Sequence, residues 1–150
     1  MANSWFAKPD LPLLSRVAEA LRQSDREELD ALSSGTNCLG ALFLCAAKSE
    51  FCRVIMHGDI PLAVSGVGNG GDGTFAPWLV GTGDVKRYPL AFMRSARVLV
   101  SYYRERYAPL VNYVDARQAA SCRFIEALGF VLEGERPLGD GMFRKFYMER

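Results

Sequence analysis

Apolar residues near the start of the chain recur at helical spacing. Leu13, Leu14, Val17, Ala18 and Leu21 fall on one stripe, with Asp10 or Ser15 placed to cap the first turn. Ser24 and Glu27 fit the S-x-x-E capping box, in which two side chains satisfy free backbone N–H groups, so a second short helix is predicted there. The apolar run "CLGALFLCAAKSE" predicts a third helical segment.

From residue 52 the period changes to that of strands. Residues 52–56 read as a strand and His57-Gly58-Asp59 as a turn. Residues 61–67 read as a second strand, with Pro61 at its start, where no ladder donor is needed. The glycine-rich "GNGGDG" turns the chain into a third strand over 74–80. Strands joined by short turns predict an antiparallel meander.

Beyond Gly83 the helical period returns. Leu90, Met93, Ala96, Arg97, Val100 and Tyr103 lie near one stripe, and Pro89 suits a first helical turn. Pro109 precedes a strand, "LVNYVDA". Residues 118–128 predict a helix stopped by Gly129, which can take the left-handed conformation at a helix end. Two last strands, 130–133 and 142–148, follow. Helices that return between strands predict an α+β fold with a mixed, mostly antiparallel twisted sheet flanked by helices.

Bulk properties narrow the function. A chain of 150 residues, 49% apolar, is enough for one domain with a real core. A net charge of +1 argues against a broad nucleic-acid-binding surface. The longest apolar run, residues 38–47, is about half the roughly 20 residues that a bilayer helix needs. It is internal and follows an acidic run, so it is no signal-peptide core. The expectation is a soluble protein of the cytoplasm or of something assembled there. Cys38, Cys45, Cys52 and Cys122 form no CxxC pair and His57 is the only histidine, so no metal site is expected. "GVGNGGDG" is not followed by a helix or by Gly-Lys-Ser/Thr and is not read as a nucleotide loop.

The frame "VNYVDARQAASCRFIEALGFVLEGE", behind the meander, resembles the GNAT acyltransferase superfamily over nearly the whole chain, with Leu128-Gly129-Phe130 as its best match. Within that superfamily, "WLVGTGDV", "FMRSAR" and "PLVNYVDARQAASCRFIEALGF" are most similar to the acetyltransferase-like, internal virion proteins of short-tailed phages. The resemblance implies a single GNAT-like domain.

The family's chemistry fits only in part. Its pyrophosphate loop is glycine-rich and aims backbone N–H groups at phosphate from a helix N-terminus. The matching "KRYPLAFMRS" has no glycine, Pro89 removes a donor, and Lys86 and Arg87 could supply charge instead. The family's tyrosine acid falls on Ile125, which cannot donate a proton, and its Asn falls on Gln118. Tyr113 and Tyr147 are the other phenols in that region, and Asp84 and Asp115 are the available carboxylates. His57, in a turn, is not assigned to catalysis.

These departures give two expectations. The first is a non-enzymatic, virion-associated structural protein on an eroded GNAT-like fold, with no cofactor and no catalytic residue. It would act through contacts with other phage proteins by way of "SYYRERY" and "SWF". The alternative is an acetyl-CoA-dependent N-acetyltransferase acting on a protein or small amine. Lys86, Arg87 and Gln118, with backbone along residues 79–81, would then hold the cofactor.

Overall fold

The computed structural model describes residues 3–33 and 37–150. The elements are β1 (Ser4–Ala7), α1 (Leu11–Glu19), α2 (Gln23–Ser33), α3 (Cys38–Lys48), β2 (Phe51–His57), β3 (Ile60–Asn69), β4 (Phe75–Gly81), a 3-10 turn (Gly83–Lys86), α4 (Pro89–Tyr107), β5 (Leu110–Asp115), α5 (Ala119–Ala127), β6 (Val131–Leu138) and β7 (Gly141–Met148). The strands form one sheet in the order β1-β2-β3-β4-β5-β7-β6. The α+β expectation therefore stands, with one strand, β1, that was not read from the sequence. "SWFA" has no apolar alternation of its own, and its place comes from antiparallel pairing with β2, Ser4 opposite His57 and Ala7 opposite Val54.

The chain divides into two compact units. The first contains Met1–Gly68 and Trp78–Ala96. Asp10 caps α1, its carboxylate accepting the Leu13 N–H at 2.8 Å. Asn37 caps α3 in the same way through the Gly40 N–H at 2.7 Å. The Ser24 capping box does not form, because α2 already begins at Gln23 and Glu27 accepts from the Gln23 amide at 3.1 Å. Leu14, Val17 and Leu21 meet Ala41 and Leu42 of α3 over Cys52, Val54 and Met56 of β2, with Val64 and Val80 beneath them. Ile55 and Ala63, on the opposite face, are also fully buried. Burial on both faces explains why β2 and β3 read as near-continuous apolar runs rather than as an alternation.

Pro61 lies one residue inside β3. The β2–β3 register shifts between Ile55 and Met56, passing from the Ile55–Ala63 pair to the Met56–Pro61 pair. The shift absorbs the missing donor and leaves Leu62 as the extra residue. The Leu62 carbonyl turns to β4 and accepts the Thr82 N–H at 2.9 Å.

Burial also sets thiol chemistry in this unit. Loss of water around Cys52 pushes its thiol up to about 12 from an ordinary value near 9. Burial raises the Cys45 thiol as well, helped by Glu28. The folded state then holds a proton that the unfolded state releases, so this contribution is complete below about pH 9 and is lost between pH 9 and 12. Urea unfolding should show stability falling at up to about 1.4 kcal/mol per pH unit above pH 9. A Cys52→Ala variant should have a flatter profile. Equal slopes would contradict the assignment.

The second unit contains Asn69–Pro77 and Arg97–Arg150. Here β5 and β6 both pair antiparallel with β7, and Phe75 pairs in parallel with Leu110. Pro137 sits in β6, an edge strand, where a missing donor costs no ladder bond. Gly129 has φ +100 and lets the chain leave α5 at once. Phe130 then drops edge-on against Phe146, 5.1 Å between ring centres, and its N–H donates to the Ile125 carbonyl at 3.3 Å. The Leu-Gly-Phe ending is thus a packing device: one left-handed residue, then an aromatic anchor. Among the described residues no helix is long and apolar enough to cross a membrane.

Candidate functional site

The segment that leaves β4 is built on Thr82. Its side chain is buried and lies 3.2 Å from the carbonyls of both Pro61 and Leu62, to which its hydroxyl can donate. The same oxygen accepts the Asp84 N–H at 3.2 Å, which starts the 3-10 turn. The Asp84 carbonyl takes the N–H groups of Arg87 and Tyr88, and Tyr88 in turn accepts the Phe92 N–H at 3.0 Å. The bond from Phe92 is the first of α4, so the N–H groups of Leu90 and Ala91 come before the intrahelical ladder. Pro89 has no N–H to offer.

Two basic side chains stand beside this helix start. Lys86 is exposed and forms no ion pair among the described residues. Arg87 reaches the Asp84 carboxylate at 3.0 Å and lies over the Tyr88 ring at 5.2 Å. Tyr88 also meets the His57 ring, 4.3 Å between centres, and His57 Nδ1 lies 3.3 Å from the Ser4 hydroxyl. The histidine is thus a packing partner at the end of β2. An open depression of about 350 Å³ adjoins the segment, lined by Arg16, Glu19, Ile60, Asp84 and Arg87 among others.

The outer edge of β4 is used by the chain itself. The Gly81 N–H donates to the Asp25 carboxylate at 2.8 Å, and the Gly81 carbonyl accepts the Arg22 N–H at 2.9 Å. The Gly83 N–H donates to the Ala20 carbonyl at 3.0 Å, and Leu21 bridges antiparallel to Thr82. Asp25 is 5% exposed and also accepts from Arg22 Nε at 2.8 Å. In a strand both backbone groups of one residue point the same way and successive residues alternate. Thr82 faces β3, so Gly81 and Leu79 face away from it. The sequence reading named backbone along 79–81, and in this arrangement both Gly81 groups are already occupied. Arg22 and Asp25 were not singled out from the sequence. Their only local mark is the i,i+3 charge spacing, inside a run that reads as a solvated helix face.

The remaining sequence candidates lie in the second unit. Gln118 precedes α5 and makes no side-chain cap bond. Asp115 pairs with Arg117 at 2.8 Å, and that hydrogen bond holds its carboxyl below the usual range, which weakens it as a base. Ile125, in the family's tyrosine position, is buried. Tyr113 lies under Arg136 and Tyr147 under Lys145, with 5.5 and 5.7 Å from the cations to the ring centres. Among the described residues no cluster fits a metal ion.

No protein-family model matches the chain, and no curated protein matches it. Solved structures do match. A GNAT-family acetyltransferase from Bacillus anthracis is 15% identical, with 98% of this chain and 94% of that chain covered and a TM-score of 0.67. The microcin self-immunity acetyltransferase MccE, in complex with acetyl-CoA and AMP, is 11% identical over 98% and 92%, with a TM-score of 0.70. RimL, a ribosomal-protein alpha-N-acetyltransferase in complex with coenzyme A, is 10% identical over 97% and 93%, also at 0.70. These likenesses correct one expectation. The non-enzymatic virion reading gives way, because the matched chains are acetyltransferases and none of these three is a virion protein. Two of those chains were solved holding acetyl-CoA or coenzyme A. Across nearly its whole length, this chain has the GNAT acetyltransferase fold.

Proposed function

We propose that the chain is an acetyl-CoA-dependent N-acetyltransferase acting on a protein or small-molecule amine. The observation that carries this reading is the shared architecture, end to end, with chains solved holding acetyl-CoA or coenzyme A. The donor groups at the start of α4 fit a diphosphate. The N–H groups of Leu90 and Ala91 stand at the positive end of a 19-residue helix, and Lys86 and Arg87 add charge beside them. Two such donors with two cations replace the glycine-rich loop. The Leu79 backbone would take an amide of the cofactor's arm.

Acetyl-CoA supplies an acetyl thioester: the acceptor nitrogen bonds the acetyl carbon, the carbon–sulfur bond breaks, sulfur gains a proton and the nitrogen loses one. This chain's part is binding and positioning. With Ile125 in the acid's place and Asp115 held by Arg117, proton exchange falls to water. A modest turnover follows, rising with pH as the acceptor amine loses its proton.

Thermal unfolding with and without acetyl-CoA tests the reading. Ligand at 100 times its dissociation constant adds about 2.7 kcal/mol, which raises the midpoint by roughly 5–10 °C for a chain of this size. AMP alone should give less. Lys86→Ala and Arg87→Ala should each weaken acetyl-CoA binding about fivefold, the scale of one exposed charged contact near 1 kcal/mol. If acetyl-CoA gives no shift and no thiol is released with amine acceptors, the reading falls.

A further inference from the structure

We infer that the junction between α1 and α2 is an autoinhibitory strap, which occupies the β4 edge in place of the cofactor's amide arm and must lift for the cofactor to bind fully. This rests on the acetyltransferase reading, in which that arm pairs with β4 backbone. The geometry of the strap is that of a short added strand. Arg22 N–H to Gly81 carbonyl at 2.9 Å and Gly83 N–H to Ala20 carbonyl at 3.0 Å flank the Leu21–Thr82 bridge, the pattern of an antiparallel pair. Asp25 completes it by taking the Gly81 N–H at 2.8 Å. Every outward backbone group of Gly81, and the outward N–H of Gly83, is thereby satisfied within the chain.

An incoming diamide must compete for those groups. Leu79 alone would leave room for one amide contact. An arm that also reaches Gly81 on its way to Lys86 and Arg87 must displace Arg22 and Asp25. The close approach is tight: the Arg22 guanidinium carbon lies 2.9 Å from where a Gly81 Cβ would stand. A glycine at 81 suits both occupants, because either the strap or an arm can lie directly on its backbone. Asp25 is the latch. Its carboxylate holds the strap through Gly81 N–H and, within the strap, through the Arg22 side chain at 2.7–2.8 Å.

A strap that is shut in most molecules lowers apparent affinity by the fraction that is open. Calorimetric titration of coenzyme A into the wild-type chain and into Asp25→Ala measures that fraction. The variant should bind at least tenfold more tightly. Equal affinity would overturn the strap and leave the acetyltransferase reading standing. No binding to either protein would overturn both. Hydrogen exchange on the wild-type chain gives a second measure that needs no variant. With 1 mM coenzyme A, the Arg22 and Gly83 amides should exchange faster as their bonds to Gly81 and Ala20 break. Unchanged or slower exchange at both, in the presence of bound coenzyme A, would show that the strap stays in place and would sink the proposal.

Discussion

Gly66→Val should lower stability by about 2 kcal/mol, or roughly 4–8 °C in the unfolding midpoint. Gly66 lies in the middle of β3 and the Trp78 indole lies directly on it. A Cβ built there meets Nε1 of the indole at 2.7 Å and two ring carbons at 2.8 Å. The ring cannot move away freely, because its N–H donates to the Ser49 hydroxyl at 2.8 Å and the Trp78 carbonyl accepts from Ser65 at 2.9 Å. Overpacking of this kind costs about 1–3 kcal/mol, and the lost indole hydrogen bond about 1 more. A valine in a strand recovers up to about 1 kcal/mol over glycine, which leaves a net loss near 2. Urea unfolding should show a loss that rises from wild type through Gly66→Ala to Gly66→Val. Trp78→Leu in the Val background should recover part of it. A neutral Gly66→Val would show that the indole has another place to go.

Asp25→Ala should cost more, about 3 kcal/mol. The carboxylate receives one backbone N–H and one guanidinium, each a hydrogen bond with a charged partner worth about 1.5–3 kcal/mol. Breaking a buried ion pair costs about 3–5 kcal/mol when the remaining charge stays dry. Arg22 keeps 29% of its side chain exposed and can turn to water, so the lower end applies. The Gly81 N–H has no such escape, since Gly81 is buried. Asp25→Asn keeps an acceptor for that N–H and should lose about half as much. Denaturant unfolding of the pair reads the difference directly. A loss under about 1 kcal/mol for alanine would mean that the strap is not held by this carboxylate.

The two variants sit at different distances from what the sequence reveals. Gly66 is a glycine inside a strand pattern, which is itself a signal of close backbone approach. What the pattern cannot name is the ring that approaches. Asp25 carries less signal still. It lies within "SDREELD", where Asp, Arg and Glu at helical spacing predict a solvated face, and Glu27 and Glu28 are indeed exposed. The buried member is picked out by Gly81, 56 residues further along the chain. The misplaced capping box has the same origin. Ser24 with Glu27 satisfied a local rule, but the Leu21–Thr82 bridge and the Arg22–Gly81 bond fix where the chain turns, and α2 starts two residues earlier than that cap would place it.

Most of the chain's elements were determined by the sequence alone. The 3.6-residue period of "LPLLSRVAEAL", the glycine turns of the meander, Pro89 at a helix start and Gly129 at a helix end are each set by residues within one or two turns of one another. Local periodicity and backbone preference act over such distances, so the residues themselves state the outcome. Lys86 and Arg87 likewise stand just before a helix start, where the local pattern puts them. Only the tertiary structure decided the strand "SWFA", the shift at Pro61, the indole on Gly66 and the occupied edge at Gly81. Each of these is a hydrogen bond or a contact closed between distant segments. It depends on which backbone groups remain unpaired after the local elements have formed, and that remainder exists only once the sheet has assembled.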